Sequence, residues 1–175
     1  LYKDSDEPDI FYHLSDFEIL ELGKTFSDMI ISNDQNAIYL SDYNNNALLK
    51  ISTRNSLALD KHIIVGSHPI ALDISPNDSL IAIAHEGESS ILVLNSQDLT
   101  ILNSFSVSLM NMNDLAFIND TTLIISSKTD PSCITLNLIS GEETTQSVLN
   151  GELAMDREGQ ILYVATSSSL KKYNW

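Results

Sequence analysis

Apolar residues along the chain alternate in short runs, and the runs recur. In "SHPIALDISPNDSLIAIAHEGESSILVLNS" (67–96), Ile70, Leu72 and Ile74 alternate with Ala71 and Asp73. A period of two sends alternate side chains to opposite faces of a strand. A turn of Pro, Asn and Asp follows, then the run "LIAIA", a polar loop and a third run. The same order appears in "SDMIISNDQNAIYLSDYNNNALLKIST" from Ser27, "NDLAFINDTTLIISSKTDPSCITLNLIS" from Asn113 and "GELAMDREGQILYVATSSSLKKYNW" from Gly151. Equivalent first-run positions are Met29, Leu72, Leu115 and Leu153, with Ile31, Ile74, Phe117 and Met155 two residues on. Their spacings are 43, 43 and 38 residues. A period in the low forties built from strand-like units is the mark of propeller blades.

The second runs "AIYLS", "LIAIA", "TLIIS" and "ILYVA" are nearly continuous in apolar character, as strands buried between neighbouring sheets are. A fourth run closes three of the units: 57–65, 99–107 and, more polar, 142–149. No segment keeps a helical period. The pattern predicts an all-β chain, a β-propeller of four-stranded antiparallel blades near 26–66, 67–108, 109–150 and 151–175. A β-sandwich also makes many short strands, but has no reason to repeat residue types every 43 positions. The first blade's strands are expected near 28–33, 37–42, 47–52 and 57–65. The expected core comprises Ile31, Ile38, Leu40, Ile51, Leu72, Ile74, Ile81, Ile83, Leu94, Phe117, Ile125, Leu153, Met155, Tyr163 and Val164.

The two ends leave the ring open to two readings. Residues 1–16 read as an acidic, poorly structured leader, and "FEILELG" (17–23) as an extra alternating strand. That strand could pair with 169–175 and close a four-bladed ring, covering two edges at once. The favoured reading is part of a larger ring of seven or eight blades, because four wide wedges demand stronger twist. Further blades, self-association or a partner would then cover two open apolar faces.

Charge narrows the partners. Nine Lys and Arg stand against 24 Asp and Glu, a net −15, without the basic footprint that nucleic acid or an anionic lipid surface requires. No run approaches the roughly 18 apolar residues of a membrane span, so direct membrane insertion is not expected. There is no targeting segment in this stretch, and a chain beginning at Leu1 reads as processed or excised. Cys133 is the only cysteine, which excludes an internal disulfide and a CxxC metal site; it reads as a small buried hydrophobe.

With these residues laid out, the chain resembles the YVTN-type β-propeller repeat family, related in look to lactonase-like and surface-layer propellers. "VGSHPIALDISPNDSLIAIAHEGESSILVLNS" (65–96) fits best, 37–53 and 159–175 fit in part, and 119–140 loosely. The second strand of that family usually ends in Asn or Asp; here those positions are Asp42, His85, Ser127 and Thr166. The family motifs specify structure and carry no catalytic residue with them.

Candidate chemistry is sparse. Asp42, Asn44 and Asn46 have the opening spacing of a calcium loop, but Ala47 stands where its Gly belongs and Thr53 where its Glu belongs. They are a weak metal candidate, and Asn-rich hairpin loops arise for turn reasons alone. His13, His62, His68 and His85 lack metal-ligand spacing; His68 and His85 could meet at one rim. There is no nucleophile elbow and no phosphate-binding Gly loop. Sequons stand at Asn77 and Asn119. No catalytic residue, metal or cofactor is expected. Loops between second and third strands, and loops joining blades, share one rim. The expected binding face is therefore Asp42, Tyr43, Asn44, Asn46, His68, His85, Glu86, Asn111, Asn113 and Lys128. The chain reads as a non-catalytic binding or scaffold module, extracellular or at the cell surface, with a protein or glycan partner. The alternative is a lactonase-like or other hydrolase with its site in the propeller channel, although the strand entries Phe26, Pro69, Asn113 and Gly151 are too apolar for a metal ring.

Overall fold

The computed structural model describes residues 18–156, 158 and 160–175; the expected acidic leader and Phe17 lie outside them. These residues form fifteen strands and no helix. β1 (Phe26–Ile31), β2 (Ala37–Asp42), β3 (Ala47–Ser52) and β4 (Ala58–Ile64) make the first sheet, in that order. β5 (Pro69–Ile74), β6 (Leu80–His85), β7 (Ser90–Asn95) and β8 (Ile101–Ser106) make the second. β9 (Met112–Asn119), β10 (Thr122–Ser127), β11 (Ser132–Asn137) and β12 (Glu143–Leu149) make the third. β13 (Glu152–Asp156), β14 (Ile161–Ala165) and β15 (Leu170–Asn174) make the fourth, which has three strands among the described residues. Every pairing is antiparallel between consecutive strands. Each sheet is one blade.

Local chemistry sets the turns. Ser32 and Ser75 end the inner strands of blades one and two, and their hydroxyls bond Asp34 and Asn77 two residues on. The same hydroxyls accept the N–H groups of Ala37 and Leu80, where the next strands begin. Serine and Asx side chains favour such turns because they satisfy the backbone locally.

Each blade has a front face toward the preceding blade and a rear face toward the next. Ala37, Tyr39 and Leu48 on the rear of blade one pack against Leu72, Ile74, Ile81, Ile83 and Leu94 on the front of blade two. Ala82, Ala84, Ile91 and Val93 on the rear of blade two meet Leu115, Phe117, Leu123 and Ile125. Ala116, Ile124 and Cys133 meet Leu162 and Val164. The core is three apolar seams between sheets, which is why the second and third strands are apolar on both faces.

Polar bonds lock the same seams. The Asp28 carboxylate accepts the Leu72 N–H at 2.7 Å, and Asp114 accepts the Leu153 N–H at 2.6 Å. At the first-to-second strand turns, Asp78 accepts the N–H groups of Asn33 and Asp34, and Asp120 accepts that of Asn77. Within the last blade the entry to β13 lies against the end of β14, where a Cβ on Gly151 would stand 2.3 Å from the Ala165 carbonyl oxygen, and the Gly151 carbonyl accepts the Ser126 hydroxyl of blade three at 2.7 Å.

Two expectations need correction. Ile31 is exposed, and Ile38, Leu40, Leu153, Met155 and Tyr163 are half-buried, because they lie in the end blades. Residues 18–25 form no strand and do not extend the sheet at β15. Leu20 and Leu22 instead pack on the front of blade one over Ala47, Leu49 and Ile51. The Glu18 carboxylate accepts the Leu57 N–H at 2.9 Å, which pins this segment there. Its apolar positions are those of an alternating strand, but they cover a face instead of joining an edge.

Candidate functional site: a polar rim across three blades

The rim is built by repetition. In each of three blades the first residue after the second strand donates its N–H to the loop that enters the inner strand. Tyr43 donates to Thr25 at 3.1 Å, Glu86 to His68 at 2.9 Å and Lys128 to Asn111 at 2.7 Å. His68 and Asn111, 43 positions apart, both adopt left-handed backbone, with φ of 48° and 50°. The repeat therefore presents an equivalent pair of side chains on each blade.

These side chains then reach across the blades. The rings of Tyr43 and His68 lie 4.5 Å apart between centroids, tilted by 35°. The Tyr43 hydroxyl bonds the Glu86 carboxylate, which holds the phenol above its ordinary pKa. The Lys128 ammonium lies 3.9 Å from Glu86. The result is a continuous polar and aromatic row, Tyr43–His68–Glu86–Lys128, over blades one to three. His68, Glu86 and Lys128 are exposed and Tyr43 half-buried.

The other expected rim residues divide. Asn44 and Asn111 are exposed beside the row. Asn46 turns inward, its Oδ1 accepting the His68 N–H at 2.9 Å. Asn113 is half-buried and donates to Glu152 at 3.1 Å. Asp42 and His85 are buried and do not reach the surface. The Asp42 carboxylate pairs with Lys24 at 2.6 Å and accepts from Asn45. Burial pushes its pKa up, but the Lys24 ammonium and Asn45 win and hold it below the ordinary value. Of the three residues whose spacing suggested calcium, Asp42 and Asn46 are thus engaged in this ion pair and the Asn46–His68 bond, while Asn44 is exposed. His85 lies under the rim, and neither of its ring nitrogens has a hydrogen-bond partner among the described residues.

Two cavities are present among the described residues, one of them in the channel where the alternative hydrolase reading places its site. One, about 450 Å³, is lined by the inner strands β1, β5, β9 and β13 and includes Asp28, Asp73, Asp114 and Glu152. The strand entries read as too apolar for convergent carboxylates, yet the acids sit one to four residues further in. Burial pushes Asp114 up to about 7, and Asp28 upward as well. Among the described residues, no group of three His, Cys, Asp or Glu is placed to hold a metal. The second cavity, about 500 Å³, opens on the opposite rim between blades one and two, lined by Tyr39, Lys50, Arg54 and Asp78 among others.

Known proteins agree on architecture. No protein-family model matches the chain, and no curated protein matches it. Solved structures do. The hydrazine synthase of Kuenenia stuttgartiensis aligns with a TM-score of 0.70 at 12% identity, over 86% of this chain and 47% of that one. The WD40 repeats of RRP9 align with a TM-score of 0.66 at 18% identity, over 88% and 52%. U3-55K aligns with a TM-score of 0.66 at 17% identity, over 88% and 53%. The chain thus spans about half the length of these three structures. Strand order, blade seams and these likenesses define the described residues as an all-β propeller of four antiparallel blades, a fold shared with WD40-type repeats.

Proposed function

We propose that this propeller is a non-catalytic binding or scaffold module that engages a partner through the Tyr43–His68–Glu86–Lys128 rim. One observation carries the reading: side chains from three successive blades form one connected, accessible row, while turn-forming Asx and Ser residues fill the opposite rim. Function in such folds lives in loops on a rigid disc. A protein is the first partner class, because the row offers an aromatic anchor, Tyr43, flanked by charged side chains of both signs, as an interface hot spot with a polar rim does. A glycan is the second. The YVTN-type repeat pattern of 65–96 and the exposed sequons at Asn77 and Asn119 support a place at the cell surface or outside the cell.

The test is the double substitution Tyr43→Ala with Asn44→Ala, compared with the natural chain as bait in cross-linking capture. The partner taken by the natural chain should be lost while Tm stays nearly unchanged, since surface changes move stability by about 0.5 kcal/mol or less. A large fall in Tm would make these residues structural.

The hydrolase reading keeps one observation in its favour, the Asp114 carboxyl held near neutrality in an open channel. Clefts with such groups are where acid–base chemistry is sought. Lactone hydrolysis abolished by Asp114→Asn without loss of fold would favour it over the rim.

A further inference from the structure

The cavity of about 500 Å³ on the rim opposite the polar row lies between blades one and two, and its size falls in the range of small-molecule sites, about 300–1,000 Å³. Its charged lining divides into side chains that the fold engages and side chains that it does not. The Asp34 carboxylate accepts the Ser32 hydroxyl and the backbone and side-chain N–H groups of Asn36. These bonds, with the charge of Arg54 nearby, hold its carboxyl at about 2, so it stays ionised and occupied. Asp78 likewise accepts N–H groups from Asn33 and Asp34. The Lys50 ammonium donates to the Gln97 carbonyl at 2.7 Å, above the Tyr39 ring. The remaining polar groups are differently placed. The Arg54 guanidinium is exposed and makes no hydrogen bond or salt bridge among the described residues. The Ser52 hydroxyl and the Gln97 carboxamide make no hydrogen bond among them either. Asp60 has 53% of its side chain exposed, and its ion pair with Lys50, at 3.7 Å, is too long to be a hydrogen bond.

The cavity thus offers one cation, one anion and two neutral groups that both donate and accept. The β3–β4 hairpin sets their order. Lys50 pairs with Lys61 and Ile51 with Leu59, which leaves Asp60 at the bulge between those rungs. Ser52 follows on the face of Lys50, since alternate strand residues share a face, and Arg54 lies two residues beyond it. Arg54 therefore stands roughly 10 Å past Asp60 along the strand direction, at a rise of about 3.3 Å per residue. Gln97 faces them from blade two. Ala37 and Tyr39, the apolar side chains of the lining, are buried, so the body of a ligand meets polar groups. We infer that the cavity binds a short free peptide, about three residues long by the extended rise of the chain. Its terminal carboxylate sits on Arg54, its terminal ammonium on Asp60 and its amides on Ser52 and Gln97. A guanidinium takes a carboxylate through two parallel hydrogen bonds. A single amino acid does not reach both charged ends, whereas three extended residues span about 10 Å. Charge agrees. Asp34 and Asp78 make the surroundings acidic, which penalises a net anion and admits a molecule of zero net charge. This site is independent of the polar row on the other rim.

Titration of the full chain with triglycine, followed by NMR amide shifts, tests it, because this peptide carries only the two termini and the amides. Saturable binding is expected, with shifts at Ser52 and Gln97. Amidating the carboxylate or acetylating the amine should each weaken binding about tenfold or more, the scale of one charge-assisted hydrogen bond. The blocked peptides probe the natural chain itself, so this comparison does not depend on how a variant folds. Arg54→Gln should cost a similar factor with triglycine and nothing further with triglycinamide. Asp60→Asn should behave in the same way toward the acetylated peptide. Free glycine should bind far more weakly than triglycine. Tyr43→Ala with Asn44→Ala, on the other rim, should leave the titration unchanged, and a loss there would move the site to the polar row and overturn the proposal. It would equally be overturned by equal affinity for free and blocked peptides, by tighter binding of inorganic phosphate, or by the absence of saturable shifts in the natural chain.

Discussion

The carboxylate of Asp73 accepts the backbone N–H of Phe117 at 2.6 Å, across the seam between the second and third blades. Phe117 is fully buried, so this bond fixes the inner strand that carries the largest apolar side chain of the seam. Removing the acceptor strands a donor that water reaches poorly, which costs about 1–3 kcal/mol. Asp73→Ala should lower the urea midpoint accordingly, and Asp73→Asn should recover most of the loss by keeping one acceptor oxygen. Equal losses in both variants would show that charge, not the bond, is what the seam uses.

Asp114 sets a pH dependence of definite sign. Burial pushes its carboxyl up to about 7, above the ordinary value near 3.9 for an unfolded chain. Between about pH 4 and 7 the folded state holds a proton that the unfolded state has lost, so this contribution to stability falls as pH rises through that window. Asp114→Asn removes the dependence. It also gives up one of the two acceptors that serve Leu115 and Leu153, a loss that is the same at every pH. Relative to the natural chain, the variant should therefore fare better at pH 8 than at pH 5, by a few kcal/mol in order of magnitude. Urea unfolding at the two pH values reads the difference, and a pH-independent offset would contradict the assignment.

The blades were legible in the sequence because a 43-residue repeat samples the same packing environment several times over. The second and third strands of the first blade coincide with their expected ranges, and the first and fourth are displaced or shortened by one or two residues. Misread positions lie where the repeat runs out of neighbours. Ile31 carries the same pattern as Ile74, but no described blade precedes it. Leu20 and Leu22 alternate as a strand would, yet the pattern cannot tell an edge from a cover. At the rim, the sequence placed Tyr43, Glu86 and Lys128 on one face, whereas the burial of Asp42 and His85 depended on Lys24 and Gly66, which belong to other segments. The channel acids are not legible from the strand entries, because Asp28 and Asp114 lie one or two residues beyond them. The signal was present, two Asp residues 86 positions apart, each directly before the first repeated apolar residue.

His85, at the end of β6, is a polar side chain buried without a hydrogen bond of good geometry among the described residues. Gly66 lies against it: a Cβ there would stand 3.0 Å from Nε2, and the Gly66 φ of 122° suits glycine alone. The loop over the ring is therefore as close as a backbone can come. Burial pulls the imidazole below its ordinary pKa, against the attraction of Glu88 and of the Val65 backbone, which faces the ring without completing a hydrogen bond of good geometry. The unfolded chain consequently binds more protons than the folded one as pH falls below about 6.5, and stability present above that value is lost on acidification. His85→Leu removes both unpartnered nitrogens and the proton uptake with them, while fitting beneath Gly66. The variant should match or exceed the natural chain at pH 7.5, by about 1–3 kcal/mol if the nitrogens bear the full desolvation cost. Its advantage should widen at pH 5. Thermal unfolding at both pH values gives the comparison. A variant weaker at both, with an unchanged gap between them, would mean that the ring makes a hydrogen bond the protein needs.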